Sequence, residues 1–161
     1  MTTMVSRSAR FTYCSERRGR RGCRVRIKFT VYGEPVAQGR PKFSTAGGFA
    51  KAYDPAKSKD YKDYVRLAAS QHAPAALLEG PIQMTLVVYR SIPKSFSKKK
   101  TAEAEAGSVF PTTKPDADNY LKGVKDALKG VIWRDDSQVV DATVRKRYSN
   151  RPRIEVHIDH I

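Results

Sequence analysis

The sequence predicts a small α/β (α+β) domain built as a mixed β-sheet flanked by helices. Two observations carry that reading. Apolar residues alternate with polar ones in several separate stretches, the period of a half-buried strand. Between those stretches apolar residues recur at helical spacing, so strands and helices interleave and helices must cover at least one face of the sheet. At 161 residues the chain is long enough for one core, and a single domain is the default.

The elements follow in order. Residues 1–24 show no periodicity and are rich in Arg, Ser and Gly. They read as a basic, disordered arm ahead of a domain over residues 25–161. Val25, Ile27, Phe29 and Val31 alternate and define a first strand. The stretch from Gly33 to Lys42 is punctuated by two Pro and two Gly and reads as a loop. Phe43 to Tyr53 reads as a hairpin turning at Ala46-Gly47-Gly48.

Asp54-Pro55 supplies a helix start, with Asp as N-cap and Pro in the first turn. Tyr61, Tyr64, Val65 and Ala68 then mark a helix to about Gln71, stopped by Pro74, with Lys57, Lys59, Lys62 and Arg66 on its other face. Pro81 to Tyr89 is a strand, with Ile82, Met84, Leu86 and Val88 on one side. Ser97 caps a short helix through Ala106, ended by Gly107. That helix has almost no apolar face and is expected to be an exposed flap beside the site.

The next helix runs from Asp116 to Lys129, acidic at its start and basic at its end, the polarity a helix dipole favours. Leu121, Val124 and Leu128 form its expected buried stripe, and Lys122, Lys125 and Lys129 an exposed one. Two strands close the chain, Gln138 to Tyr148 and Arg153 to Asp159, with Ile154, Val156 and Ile158 facing inward.

Charge narrows the function. The chain has 31 Lys plus Arg against 16 Asp plus Glu, a net +15 with a pI near 10.0. Residues 1–28 hold nine basic residues and one acidic, a net +8, so residues 29–161 remain basic at +7. Such a balance predicts polyanion partners, nucleic acid ahead of anionic membrane. No apolar run of about 18 residues occurs, so no membrane span is expected. The basic N-terminus lacks the apolar core of a secretory signal. Cys14 and Cys23 match no metal or disulfide pattern, which fits a reducing cytoplasm.

Against this basic background, Lys114–Val139 packs five aspartates into 26 residues. Acidic residues repel nucleic acid unless they hold a metal, so the cluster points to an enzyme that works on polyphosphate with a divalent cation. Asp116 and Asp118 form a D-x-D at a helix start, with Asp118 expected at or near the N-cap and Asp116 just before it. The helix from Asp118 to Lys129 rises ~18 Å. The six or seven residues to Asp135 or Asp136 can return ~20 Å in extended form. The Asp135-Asp136 pair can therefore come back beside Asp118. Three oxygen donors at one point suit Mg²⁺ or Mn²⁺. Lys122, one turn along from Asp118, could donate to a phosphorane or a leaving oxygen.

Taken singly these signals are ordinary. D-x-D and D-D pairs often serve as caps and turns. Asp126 reads as a helical partner of Lys122, and Trp133 as core. His72, His157 and His160 have no ligand spacing. An EF-hand fails, because counting from Asp116 the sixth residue is Leu121 and the twelfth Ala127.

The combination K-P-D-x-D-N-x-x-K, then D-A-L, then W-x-D-D-S-Q-V resembles the signature of the RusA family of Holliday-junction resolvases. The likeness is strongest over Lys114–Val139 and covers most of residues 26–160, leaving out the arm. It implies a small homodimer that cuts four-way DNA junctions by paired nicks, with Mg²⁺ or Mn²⁺ and no small-molecule cofactor. The family's catalytic carboxylates fall on Asp116, Asp118 and Asp136, its catalytic lysine on Lys122, and a supporting metal-site position on Asp135. Candidate phosphate-holding cations are Arg40, Lys42, Lys62, Arg66, Lys114, Lys125 and Lys129. A junction's approximate two-fold symmetry gives dimerisation a physical motive. Two alternatives remain open: a non-catalytic nucleic-acid-binding protein on the same fold, and a nucleotide-sugar transferase, which the lack of a second domain disfavours.

Overall fold

Period-2 patterning builds a four-stranded sheet. The computed structural model describes residues 25–39, 42–44, 51–53 and 55–161. The strands are β1 (Arg26–Tyr32), β4 (Ile82–Ser91), β5 (Val139–Ser149) and β6 (Arg153–His160). β6 pairs antiparallel with both β1 and β4, and β4 pairs parallel with β5, so the sheet is mixed as expected. The register aligns the apolar positions into rows across the strands. One row is Phe29, Val156, Leu86 and Val144; another begins Val31, Ile154, Val88 and ends on Lys146. Ile82, Met84, Leu86, Val88, Val156 and Ile158 are fully buried. Each such side chain contributes roughly 1.5–3 kcal/mol by leaving water, an upper estimate.

Helices α1 (Ala56–Ser70) and α3 (Ala117–Leu128) pack on one another over this face. α1 begins one residue later than the sequence suggested: Pro55 holds the N-cap place, and its carbonyl accepts from the Ser58 and Lys59 amides at 2.9 and 3.1 Å. Asp54, the expected cap, lies outside the described residues. The buried stripe runs through Ser58, Val65 and Ala69, flanked by Tyr61 and Ala68. Tyr64, expected in it, falls off the edge of that stripe and is 47% exposed. Tyr61 is the more enclosed tyrosine, and burial pushes its phenol well above the ordinary range.

Two short strands, β2 (Lys42–Ser44) and β3 (Lys51–Tyr53), pair antiparallel as the predicted hairpin, whose turn lies outside the described residues. The loop before them is stitched to both helices. Ser58 Oγ donates to Ala37 O and accepts from the Gly39 amide, and the Gln38 amide donates to Asn119 O at 3.0 Å.

Helix α2 (Lys98–Glu105) is capped by Ser97 Oγ, which accepts from the Lys100 amide. The helix is largely exposed, as expected, but it is tied down rather than a free flap. Ala104 is buried, and the carboxylate of Glu105 accepts from Ser149 Oγ and the Asn150 amide, tying the helix to the end of β5. Arg147 Nη1 donates to Gly107 O, where the chain turns with φ +83°. Among the described residues no helix is long and apolar enough to cross a membrane.

Candidate active site

Asp116, not Asp118, is the N-cap of α3; its side chain makes no cap hydrogen bond, and Asp118 sits in the first turn. The helix thus keeps the bounds expected of it, from its N-cap at Asp116 to its C-cap at Lys129. Tyr120, Gly123, Val124, Ala127 and Leu128 are the buried positions, and Leu121, expected among them, is only half-buried. The other face of the helix therefore carries Asp118, Leu121, Lys122, Lys125 and Asp126. Together with Asp136 these residues line one shallow cleft of about 290 Å³.

Asp136 reaches the cleft through a tightly bonded return. After α3, Gly130 adopts φ +74°, the left-handed conformation that ends a helix at little steric cost. Its amide donates to Trp133 O at 2.8 Å, and the Ile132 amide donates to Leu128 O. Trp133 is fully buried, as its core reading predicted. Its indole Nε1 also donates to Asp136 Oδ1 at 3.0 Å, holding one oxygen of that carboxylate. Sequence reasoning missed this second role; the i,i+3 spacing from Trp133 to Asp136 was the available signal.

The adjacent aspartates divide their work. Asp135 caps a 3-10 turn over Asp136–Gln138, its Oδ1 accepting from the Ser137 amide while Gln138 Oε1 accepts from the Asp135 amide. Its Oδ2 takes Lys129 Nζ at 2.6 Å. The Lys129 ammonium, and then the Ser137 amide, hold the Asp135 carboxyl well below the usual carboxylate range, and the same contact raises Lys129. A depressed folded-state value favours folding above the ordinary carboxylate pKa. That contribution fades only as pH falls through the depressed value, and its exposure to solvent keeps it small. With both oxygens engaged, Asp135 is a structural clasp, and Gln138 Nε2 extends it to Leu78 O and Gly80 O.

The candidate phosphate-holding cations are dispersed. Lys125 lines the cleft, and Lys114 is exposed on the approach to α3. Lys129 is taken by Asp135. Lys62 lies 3.8 Å from Asp126, so that aspartate meets α1 rather than Lys122 as expected. Arg66 Nε donates to Ala127 O at 3.3 Å, turning toward α3. Arg40 and the Lys42 side chain lie outside the described residues.

An all-oxygen carboxylate set is the donor chemistry for Mg²⁺ or Mn²⁺. Among the described residues no three acidic, His or Cys side chains are gathered closely enough to hold an ion by themselves. Asp118 and Asp136 nevertheless line the same cleft, and no hydrogen bond or ion pair among the described residues engages the carboxylates of Asp116 or Asp118. Mg²⁺ is commonly bound by one or two carboxylates with water and substrate phosphate completing its shell, so the residues fit it. A larger depression of about 620 Å³ beside α2 offers no comparable chemistry. Its acidic residue, Glu105, is spent on Ser149 and Asn150.

The fold and this cleft can be set beside known proteins. An uncharacterised protein of Bacillus subtilis (strain 168), YqaN, is 59% identical over 137 residues, covering 84% of this chain and 96% of the relative. The family described as Endodeoxyribonuclease RusA matches residues 32–159, which take in β4, β5, nearly all of β6, the three helices and every residue of the cleft, while β1 lies almost wholly ahead of the match. The chain belongs to the RusA endodeoxyribonuclease family.

Proposed function

We propose that this protein is a metal-dependent, structure-selective endodeoxyribonuclease that resolves four-way DNA junctions by paired symmetric nicks, acting as a homodimer in the cytoplasm. The observation that carries the proposal is the cleft in which Asp118 and Lys122 of α3 meet Asp136 from the returning loop. Family membership supports the substrate class.

In this reading Asp118 and Asp136, which line the cleft, would hold Mg²⁺, or Mn²⁺ in its place, and Asp116 at the N-cap of α3 would join them as the ion draws it in. The bound ion supplies an acidified water and offsets the negative charge that develops on the phosphoryl group. Lys122 donates to the non-bridging or leaving oxygen as that charge grows. Trp133 keeps Asp136 aimed into the cleft. Lys125 and Lys114 approach the flanking phosphates, and residues 1–24 add further positive charge around the DNA.

The test is cleavage of an end-labelled synthetic four-way junction, with matched duplex as control, in Mg²⁺, Mn²⁺ and EDTA. Symmetric nicks in the junction alone, absent in EDTA, are expected. Binding without scission under every metal condition would leave a non-catalytic DNA-binding protein and refute the proposal.

Lys122→Ala separates catalysis from anchorage. Loss of a charge-stabilising donor is expected to slow cleavage by about 100-fold. Junction binding, measured in Ca²⁺ by mobility shift, should change far less, because several other cations share the phosphates. Equal losses in rate and affinity would make Lys122 a phosphate anchor only.

A further inference from the structure

The backbone just before α3 is held from beneath by two cations that the reaction scheme does not use. Arg90 on β4 donates through Nη1 to Thr113 Oγ1 at 3.1 Å, to Lys114 O at 3.1 Å and, more weakly, to Thr113 O at 3.4 Å. Lys146 on β5 donates through Nζ to Thr113 O at 3.2 Å and to Pro115 O at 3.1 Å. Three consecutive carbonyls ahead of Asp116 are thus taken by side chains from two adjacent, parallel strands.

The placement of Lys146 is unusual for a lysine. It ends the apolar row Val31, Ile154 and Val88 on the helix-covered face of the sheet and is half-buried there. Arg90, also half-buried, lies close enough to Tyr120 for its charge to oppose the upward push that burial gives that phenol. Neither cation has a carboxylate partner among the described residues. Partly buried charges without counter-ions persist only where hydrogen bonds satisfy them, and here those bonds go to the loop. A surface phosphate anchor would instead present its ammonium or guanidinium outward.

We propose that Arg90 and Lys146 are positioning residues, which clamp the Thr113–Pro115 backbone and so set the direction in which Asp116 and Asp118 present their carboxylates to the metal. The proposal rests on the metal-dependent reading above. The clamp ties the rigid sheet to the first turn of α3, so the aim of both aspartates is inherited from β4 and β5 rather than from the loop's own preferences. Groups that orient metal ligands from behind are typically worth about 10–100-fold in metal affinity or activity.

The experiment uses the full chain carrying Lys146→Met, which keeps the stem and removes the donors, and Lys146→Arg, which keeps a donor. Backbone order parameters are measured by NMR for residues 113–119, and Mn²⁺ binding by electron paramagnetic resonance without DNA. In Lys146→Met the order parameters should fall from about 0.85 toward about 0.6. Mn²⁺ should bind at least about tenfold more weakly, with junction affinity in Ca²⁺ little changed and Lys146→Arg restoring most of the loss. Unchanged order parameters and Mn²⁺ affinity would overturn the clamp while leaving the nuclease reading intact, as would a junction affinity that falls in step with cleavage. A wild-type protein that neither binds Mn²⁺ nor cuts junctions would overturn the metal reading and the clamp with it. If Lys146→Met does not fold, Arg90→Lys is judged by the same readouts.

Discussion

Asp118→Asn is expected to lower junction cleavage by at least about 1,000-fold, a size set by the several kcal/mol of charge stabilisation that a metal supplies. Junction binding should be retained or become tighter. Asp118 stands in the first turn of α3, on the cleft shared with Lys122, Lys125 and Asp136. Its carboxylate repels phosphate unless a cation lies between them. The amide isostere keeps the side chain's shape and removes that repulsion, worth about 1 kcal/mol at ~4 Å in water and less once salt screens it. Helix stability should fall only slightly, by the roughly 0.3–1 kcal/mol that a first-turn carboxylate gains from the helix dipole. The measurement pairs single-turnover cleavage in Mg²⁺ with mobility shift in Ca²⁺, and circular dichroism as a check on folding. Lost binding in a folded variant would show that Asp118 organises the cleft rather than the reaction.

The core of this protein was legible because its strands are simple. Ile82, Met84, Leu86 and Val88, and likewise Ile154, Val156 and Ile158, obey a strict period of two, and register converts that period directly into rows across the sheet. The approach of Asp136 to α3 was legible from chain length alone, since an extended return can span the rise of the helix. What stayed hidden depends on partners distant in sequence. Asp126 meets Lys62 because α1 crosses α3, and no local spacing encodes that crossing. The short, polar α2 reads as a free flap until Glu105 is seen accepting from Ser149 and Asn150. Arg90 and Lys146 look like solvated strand cations, although their donors turn inward to the carbonyls before Asp116. The adjacent aspartates are chemically identical in sequence. Only the capping of the 3-10 turn and the Lys129 contact separate the clasp, Asp135, from the residue that faces the cleft.

Trp133 joins the core to the site, and two substitutions there should separate its roles. Trp133→Ala empties a fully buried position and is expected to destabilise the fold by about 3–5 kcal/mol, because the loss of buried surface is compounded by the cavity left behind. Urea denaturation followed by circular dichroism reads that loss directly. Its effect on cleavage would be uninformative alone, since a partly unfolded population also fails to cut. Trp133→Phe keeps an apolar ring in the position but removes Nε1, the group that holds Asp136 Oδ1 at 3.0 Å. Its stability loss should be much smaller. The freed Asp136 carboxylate then sweeps several rotamers, and an outer-shell hydrogen bond of this kind is worth about 10–100-fold in metal affinity or rate. The expected signature in Trp133→Phe is therefore a raised Mg²⁺ concentration for half-maximal cleavage with unchanged junction affinity. Because aim rather than charge is lost, high Mg²⁺ should recover part of the rate, which it cannot do for Asp118→Asn. A Trp133→Phe protein with wild-type metal dependence would show that the return loop, clasped by Asp135, Lys129 and Gln138, suffices to aim Asp136 without the indole.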